Sequence, residues 1–165
     1  MHLGFSFMNT PHDPDPRDLA RALEERGFES LWTGEHSHIP VSRKTPYPAG
    51  DELPEAYKLM GDPYITLMAA ASVTSTLKLG TGIALLMERE LFSQAKTIAS
   101  LDRLSGGRLM IGTGVGWNEE EFTNCTRQPW GKRYGVMRET VMATRALWRD
   151  EEPEFHGDYI DFDPV

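Results

Sequence analysis

Short apolar runs alternate with helix-patterned segments four times along this chain of 165 residues. The apolar runs have strand character and cover residues 3–8, 29–34, 77–86 and 108–116. Alternation of this kind predicts an α/β fold in which parallel strands are joined by right-handed helical crossovers. Two architectures satisfy the pattern, a doubly wound sheet and part of a (β/α)8 barrel. Because a complete barrel needs about 250 residues, four strand–helix units correspond to half of one.

Composition restricts the partners and the compartment to be expected. The chain has 25 acidic and 17 basic residues, and since the basic residues are scattered, no nucleic acid is expected as a partner. No apolar stretch approaches the roughly 20 residues that cross a bilayer, so no membrane association is expected either. The single cysteine, Cys125, cannot form an internal disulfide, and the N-terminus lacks a signal-peptide pattern. These features predict a cytoplasmic protein of one domain.

The second apolar run ends in the segment GEHSH, residues 34–38, which brings a carboxylate and two imidazoles close together. Ligands bind at the carboxyl ends of the strands in both candidate architectures. If the segment stays extended, His36 and His38 point to one side and Glu35 to the other, so the histidines could carry protons or bind a ligand. The alternative is that both are loop histidines hydrogen-bonded to the backbone.

A stretch rich in proline and glycine, Glu35 to Gly61, separates this segment from the next helix. Loops of such length without structure of their own are uncommon in compact domains and often act as lids or binding loops. The stretch therefore predicts a loop that shapes a pocket.

Glycines follow or interrupt the third and fourth apolar runs. Gly80 and Gly82 favour either a close approach of the backbone to a ligand or a bulge. The segment GTGVGW, residues 112–117, differs from a dinucleotide fingerprint because it follows the fourth strand and leads into NEEEF, whose carboxylates would repel a pyrophosphate. It favours backbone contact with a flat ligand at Gly114 and Gly116, with Trp117 in the pocket, or else tight packing of strand against helix.

A His-x-His pair at a strand end is also typical of metal-dependent hydrolases. Such a site needs further nitrogen or oxygen ligands, and His2, His12 and His156 have no metal-ligand spacing. We therefore predict no metal site. No G-x-S-x-G segment supports serine hydrolysis.

Four segments carry a resemblance to a known family: ESLWTGEHSHIPVSR, DPYITLMAAASVTSTLKLGTGI, AKTIASLDRLSGGRLMIGTGVGWNEEEF and RALWRDEEPEFHGDYIDF. In order and spacing they resemble the N-terminal half of the luciferase-like monooxygenase superfamily, and most closely its coenzyme F420-dependent oxidoreductase branch. The resemblance covers residues 3–163. It implies a TIM barrel that binds a reduced deazaflavin, or FMN in relatives, at the carboxyl ends of its strands. Residues 1–165 would then be the N-terminal half-barrel of four parallel strands, with the C-terminal half absent.

The resemblance also implies roles for individual residues. Glu35 and His36 match an acidic residue and histidine pair near the reactive ring of the cofactor. Gly82 and Ile83 match a non-proline cis peptide that bulges against that ring. Trp117 matches a pocket position that other members fill with glutamate. The expected site also includes Gly114 and Gly116 as further cofactor contacts and His38 in the substrate pocket.

The leading functional hypothesis is hydride transfer between F420 and a small organic substrate, with His36 as the proton carrier. The alternatives are an FMN-dependent monooxygenase, a metal-dependent hydrolase that uses His36 and His38, and an inactive truncated half-barrel.

A half-barrel has consequences for association and for binding. Its first and fourth strands would present unpaired edges, and apolar side chains would lack partners across the core, so self-association or poor stability is expected. F420 binding is expected to be weak, because the phosphate site of such barrels commonly follows strands seven and eight. The side chains expected to lack partners are Phe5, Phe7, Leu31, Ile83 and Ile111.

Overall fold

The computed structural model describes residues 1–50 and 52–165 and contains two separate sheets. The predicted long loop includes Asp51, which lies outside the described residues. The elements, in chain order, are β1 (Gly4–Phe7), α1 (Pro16–Glu25), β2 (Ser30–Thr33), α2 (Pro63–Ala71), β3 (Lys78–Ala84), α3 (Leu91–Leu104), β4 (Leu109–Thr113), α4 (Glu119–Cys125), α5 (Arg133–Arg149), β5 (Phe155–His156) and β6 (Asp161–Phe162).

The first four strands form one parallel sheet in the order β1–β2–β3–β4. This confirms the predicted α/β class and the four strand–helix units. The strands are shorter than the apolar runs: β4 ends at Thr113, since the chain turns in the glycines that follow, where Gly116 has a φ of 66°.

The described residues group into two compact units. The first comprises Met1–Ile39, Leu53–Ala84 and Ser100–Thr113, and holds the whole parallel sheet together with α1 and α2. The second comprises Pro40–Glu52, Leu85–Ala99 and Gly114–Val165, and holds α4, α5 and the β5–β6 pair. Helix α3 contributes residues to both. No helix of the described residues is long and apolar enough to span a membrane.

In the first unit, one face of the sheet is buried together with the apolar residues of α1 and α2. Leu31 and Leu79 are paired in register and neither has any solvent exposure. The expectation that Leu31 would lack packing partners is therefore wrong, because strand alternation places it on the buried face. Phe5 and Ile83 each keep 38% exposure. The helix residues buried in this unit include Ala20, Leu23, Leu67 and Ala70.

The opposite face of the sheet is organised around Trp32. A Cβ added at Gly80 would lie 2.2 Å from the Trp32 ring, so only glycine fits beneath it. The Trp32 Nε1–H donates to the Ser30 hydroxyl over 2.8 Å. Of the two interpretations of Gly80, the structure supports a close approach, but the approaching group is an indole of the same chain.

In the second unit, α4 begins with a side-chain cap and the C-terminal segment forms an antiparallel pair of strands. The Asn118 carboxamide accepts from the backbone N–H groups of Glu120 and Glu121 over 3.1 and 3.2 Å. Strands β5 and β6 are antiparallel, and the Glu139 carboxylate accepts from the backbone N–H groups of the turn that joins them. Fully buried Phe122 packs with Met87 and Val136.

Arg108 ties together the backbone at the amino ends of β3 and β4. Its guanidinium donates to the carbonyl oxygens of Ala71, Thr74, Leu77 and Ser105 over 2.6–3.1 Å. Carbonyls at a helix end have no partner within the helix. Arg108 provides such a partner for the carbonyl of Ala71, the last residue of α2.

Glu24, in the last turn of α1, binds the same turn between α2 and β3 from the other side. Its carboxylate accepts from the backbone N–H groups of Ser75, Thr76 and Leu77 over 2.6–2.9 Å. Burial by itself would raise the pKa of this carboxyl, but the hydrogen bonds favour the ionised form and lower the pKa to about 2. A carboxyl with a lowered pKa stabilises the fold above its ordinary pKa and loses that contribution as the pH falls.

We predict that Glu24→Gln lowers the free energy of unfolding at pH 7 by about 2 kcal/mol, because the ionised acceptor is lost. The difference between parent and variant should be largest above pH 4.5 and should shrink as the pH falls to about 2. Urea denaturation across this range measures it. Exposed Glu25→Gln is the control and should change little; equal effects of the two variants would contradict the prediction.

Candidate functional site at the carboxyl ends of the strands

The segment GEHSH begins where β2 ends, after Thr33. Glu35 is buried, with 7% exposure, and His36 is half-buried. A bend at Ser37 interrupts the extended conformation on which the predicted same-side placement of His36 and His38 depended. The Nδ1 of His38 shares a hydrogen bond of 2.9 Å with the Ser37 hydroxyl. The bend therefore removes the extended geometry from which a joint action of His36 and His38 was inferred.

The ring of His36 meets an aromatic ring that the sequence patterns did not indicate. Tyr57 lies edge-to-face with it, with a centroid separation of 5.4 Å and an interplanar angle of 63°. Tyr57 belongs to a 3-10 helix, Glu55–Leu59, within the stretch predicted to be a loop. The long loop thus contains a structured turn that packs against the histidine.

The ends of β2 and β3 come close together at two glycines. A Cβ added at Gly34 would lie 3.3 Å from the carbonyl oxygen of Gly82 and 3.3 Å from the Cε of Met60. The peptide bond between Gly82 and Ile83 is cis, as the resemblance implied. The register of β3 with β4 shifts between Thr81 and Ala84, which confirms the expected bulge.

Two threonines fasten this bulge to β4. The Thr81 hydroxyl donates to the Gly112 carbonyl over 2.8 Å, and the Thr113 hydroxyl donates to the Ala84 carbonyl over 2.9 Å. A Cβ at Gly112 would lie 2.4 Å from the carbonyl oxygen of Thr81, so glycine is required there. The bulge is therefore held at both ends by direct hydrogen bonds.

The residues at this edge that could face a flat ring are Gly34, Gly82 and Ile83. Gly34 and Gly82 leave the backbone uncovered by side chains of their own, and Ile83 offers a partly exposed apolar side chain. Flat heterocycles bind to such apolar surfaces when a few polar groups fix their orientation. Glu35 and His36 are the polar groups at this end of β2. Five predicted site residues lie in this unit: Glu35, His36, His38, Gly82 and Ile83.

The other three predicted site residues, Gly114, Gly116 and Trp117, belong to the second unit. Gly116 has a φ of 66°, and a Cβ there would lie 3.2 Å from a methyl group of Leu85. The Trp117 ring packs edge-to-face on Tyr47 with a centroid separation of 5.8 Å. The contacts of Gly116 are those of tight packing, which is one of the two interpretations that the sequence left open.

The second unit also contains a cavity of about 650 Å³ between α4 and part of the long loop, and Ser42, Lys44 and Thr45 contribute to its lining. The Glu120 carboxylate accepts from the Ser42 hydroxyl over 2.9 Å and from the Lys44 N–H over 2.7 Å. A hydrogen bond from the Thr45 hydroxyl is the largest of the causes that lower the pKa of Glu120 to about 2. None of the predicted catalytic residues lines this cavity. Through its hydrogen bonds to Ser42 and Lys44, Glu120 anchors the loop to α4.

Among residues 1–50 and 52–165, no group of three or more His, Cys, Asp or Glu side chains is placed to hold a metal ion. The residues that sequence patterns missed are Tyr57 and Met60, which reach the end of β2 from the long loop. The periodicity of apolar residues does not predict which loop residue will contact the end of a strand. Gly34 carried a signal in retrospect, because it directly precedes the carboxylate of the GEHSH segment.

Comparison with known proteins gives a family match and several relatives. A family model described as luciferase-like monooxygenase matches residues 10–165. Uncharacterized protein Rv0953c of Mycobacterium tuberculosis (strain ATCC 25618 / H37Rv) is 40% identical over 99% of this chain. The 5,10-methylenetetrahydromethanopterin reductase of Methanolobus tindarius is 27% identical over 98% of this chain. The chain spans 59% of the first relative and 43% of the second.

Solved structures share the fold over about half their length. The monooxygenase RslO1 from Streptomyces bottropensis superimposes with a TM-score of 0.80 and 27% identity, over 100% of this chain and 48% of its own. An F420-dependent secondary alcohol dehydrogenase in complex with an F420–acetone adduct gives a TM-score of 0.75 at 23% identity, over 99% of this chain and 47% of its own. The neighbours are luciferase-like TIM-barrel enzymes, which confirms the predicted barrel family and the correspondence to half a barrel.

We predict that Gly34→Ala destabilises the protein by about 1–2 kcal/mol, because the new methyl group is crowded by the Gly82 carbonyl and Met60. Denaturant unfolding measures this change. Gly50→Ala is the control, from the long loop that follows Gly34, since a Cβ there meets nothing within 4 Å. A Gly34 variant as stable as the Gly50 variant would show that the two strand ends are not in close contact.

Proposed function

This chain belongs to the luciferase-like monooxygenase family, and from that premise we propose that it transfers a hydride between coenzyme F420 and a small organic substrate. Members of the family are oxidoreductases or monooxygenases. The observation that carries the proposal is the close approach of the ends of β2 and β3 at Gly34 and Gly82, with half-buried His36 two residues after Gly34 and partly exposed Ile83 directly after Gly82.

The residues of this site would have different roles. Gly34, Gly82 and Ile83 would hold the ring of the cofactor, which supplies or accepts the hydride when bound. His36 would donate or accept the proton that accompanies the hydride, since histidine is the side chain most often used as a general acid or base. Glu35, buried and adjacent in the chain, would fill the acidic position that the family resemblance implies beside the histidine.

Both reduction and oxygenation occur among the named relatives. The relative from Methanolobus tindarius, similar over almost the whole chain, is named as a reductase. A second candidate function, an FMN-dependent monooxygenase, is favoured by the 27% identity to monooxygenase RslO1. The fold accommodates either cofactor, since solved neighbours hold F420 in one case and FMN in another.

Titration with each cofactor tests the proposal. We expect F420 to bind and substrate-dependent hydride transfer to follow, measured by the fluorescence and absorbance of the deazaflavin. Tighter binding of FMN with substrate-dependent consumption of oxygen would favour the monooxygenase instead. Elemental analysis of the same samples tests the alternative of a metal-dependent hydrolase. One tightly held metal ion per chain that is lost in His38→Ala would overturn the proposed F420 dependence.

We predict that His36→Ala slows the chemical step by roughly 100-fold or more, the scale of losing a general acid or base. Single-turnover hydride transfer measures the step apart from binding. His12→Ala is the control, because His12 is an exposed histidine of the first unit and should leave the rate unchanged. A rate of hydride transfer in His36→Ala within a few-fold of the parent rate would contradict the role of His36 as proton carrier.

We also propose that residues 1–165, taken as a polypeptide, associate through the outer strands of the parallel sheet. Strands β1 and β4 each have one neighbouring strand within the described residues, and Leu3 and Phe5 near the β1 edge are 46% and 38% exposed. Light scattering should show a mass above that of one chain, reduced by Phe5→Lys but not by the highly exposed Val41→Lys. A monomer at all concentrations would contradict this proposal.

A further inference from the structure

We propose that Tyr57 is a positioning residue for His36, so that a residue of the loop between β2 and α2 sets the orientation in which the imidazole handles its proton. The inference deepens the proposed function and rests on it, because His36 is the proton carrier only in that hypothesis. Tyr57 acts through His36 and need not touch substrate or cofactor.

The contact between the two rings has the geometry of an attractive aromatic pair. Their centroids are 5.4 Å apart at an angle of 63°, within the range of about 4.5–7 Å that edge-to-face pairs prefer. Both side chains are half-buried. A ring packed in this way loses rotational freedom, and an imidazole with a restricted ring angle presents its nitrogen atoms in fixed directions.

The segment that carries Tyr57, Glu55–Met60, is itself held in place. The Tyr57 N–H donates to the Pro54 carbonyl over 3.1 Å and closes the 3-10 turn. The exposed ion pair of Lys58 with Glu55, at 2.6 Å, adds little to this. Met60, at the end of the segment, packs beside Gly34. The segment therefore places two side chains against the end of β2.

The downstream end of the segment is pinned to the end of β1. The Gly61 N–H donates to the Asn9 carbonyl over 2.8 Å, and the Asn9 carboxamide donates to the Thr66 hydroxyl of α2. A Cβ at Gly61 would lie 2.4 Å from the Asn9 side-chain nitrogen, so these two segments of the chain approach as closely as glycine allows. Asn9 has a φ of 57°, a conformation that asparagine adopts more readily than most residues. Because of this anchor, Tyr57 is fixed relative to the strands that carry the site.

Loss of the Tyr57 ring should affect the chemical step more than binding. A misplaced proton carrier slows reaction without removing the surface that holds the ligand. We expect Tyr57→Leu to lower kcat about ten-fold with little change in KM. Tyr57→Phe keeps the ring and should restore kcat to within about two-fold of the parent.

A double-variant test separates positioning from other roles. If Tyr57 acts only through His36, then Tyr57→Leu should cost nothing further in the His36→Ala background. A full ten-fold loss in that background would overturn the proposal, because Tyr57 would then act on the ligand or the fold. A Phe variant as impaired as the Leu variant would also overturn it, since the hydroxyl rather than the ring would be responsible.

A spectroscopic measurement keeps the inference testable if the proposed function fails. The ring protons of His36 should move in the NMR spectrum of Tyr57→Leu, owing to loss of the neighbouring ring current, and stay near their parent positions in Tyr57→Phe. This readout needs neither cofactor nor turnover. Unchanged His36 resonances in a folded Tyr57→Leu protein would overturn the inference. Lys58→Ala, from the exposed side of the same turn, is the control and should alter neither kcat nor the His36 resonances.

Discussion

The turn between α2 and β3 depends on two charged side chains that divide its backbone groups between them. The guanidinium of Arg108 takes the carbonyl oxygens of Thr74 and Leu77, and the carboxylate of Glu24 takes the N–H groups of residues 75–77. At the buried residues Thr74 and Leu77 the backbone groups need such partners, because an unsatisfied buried polar group is costly. The start of β3 is thereby set, and with it the register of the strand that carries Gly82 and Ile83.

Arg108 reaches this position because of the segment that precedes it. Gly106 and Gly107, with φ of 72° and 78°, end α3, and the Gly107 N–H donates to the Asp102 carbonyl over 2.8 Å. Left-handed residues of this kind are a common helix ending. The segment LDRLSGGR, which contributed to the family resemblance, therefore has a structural role at the amino ends of the strands. Stability is concentrated there, and the candidate chemistry lies at the opposite ends, as is usual in barrels of this class.

The long loop after β2 is divided between the two compact units. Residues 40–45 are anchored by Glu120 in the second unit, whereas the segment Glu55–Met60 packs against the end of β2 in the first. A loop anchored by specific hydrogen bonds in each part differs from a flexible lid. Its contribution to the site is the fixed placement of side chains, and the ring of Tyr57 beside His36 is the contact through which the loop reaches the proposed chemistry.

Local periodicity determined the class of fold and the strand end at which the candidate site was predicted. The period of apolar residues reflects the backbone geometry of strand or helix, so the parallel α/β sheet and the placement of residues 34–38 at a strand end follow from sequence alone. The family resemblance extended this to the cis peptide at Gly82. Only the tertiary structure decided which side chains meet across the chain: Tyr57 against His36, and Trp32 over Gly80. These contacts depend on how loops and strand faces are arranged in space, which no local period encodes, because residues distant in sequence come together only when the whole sheet and its helices have packed.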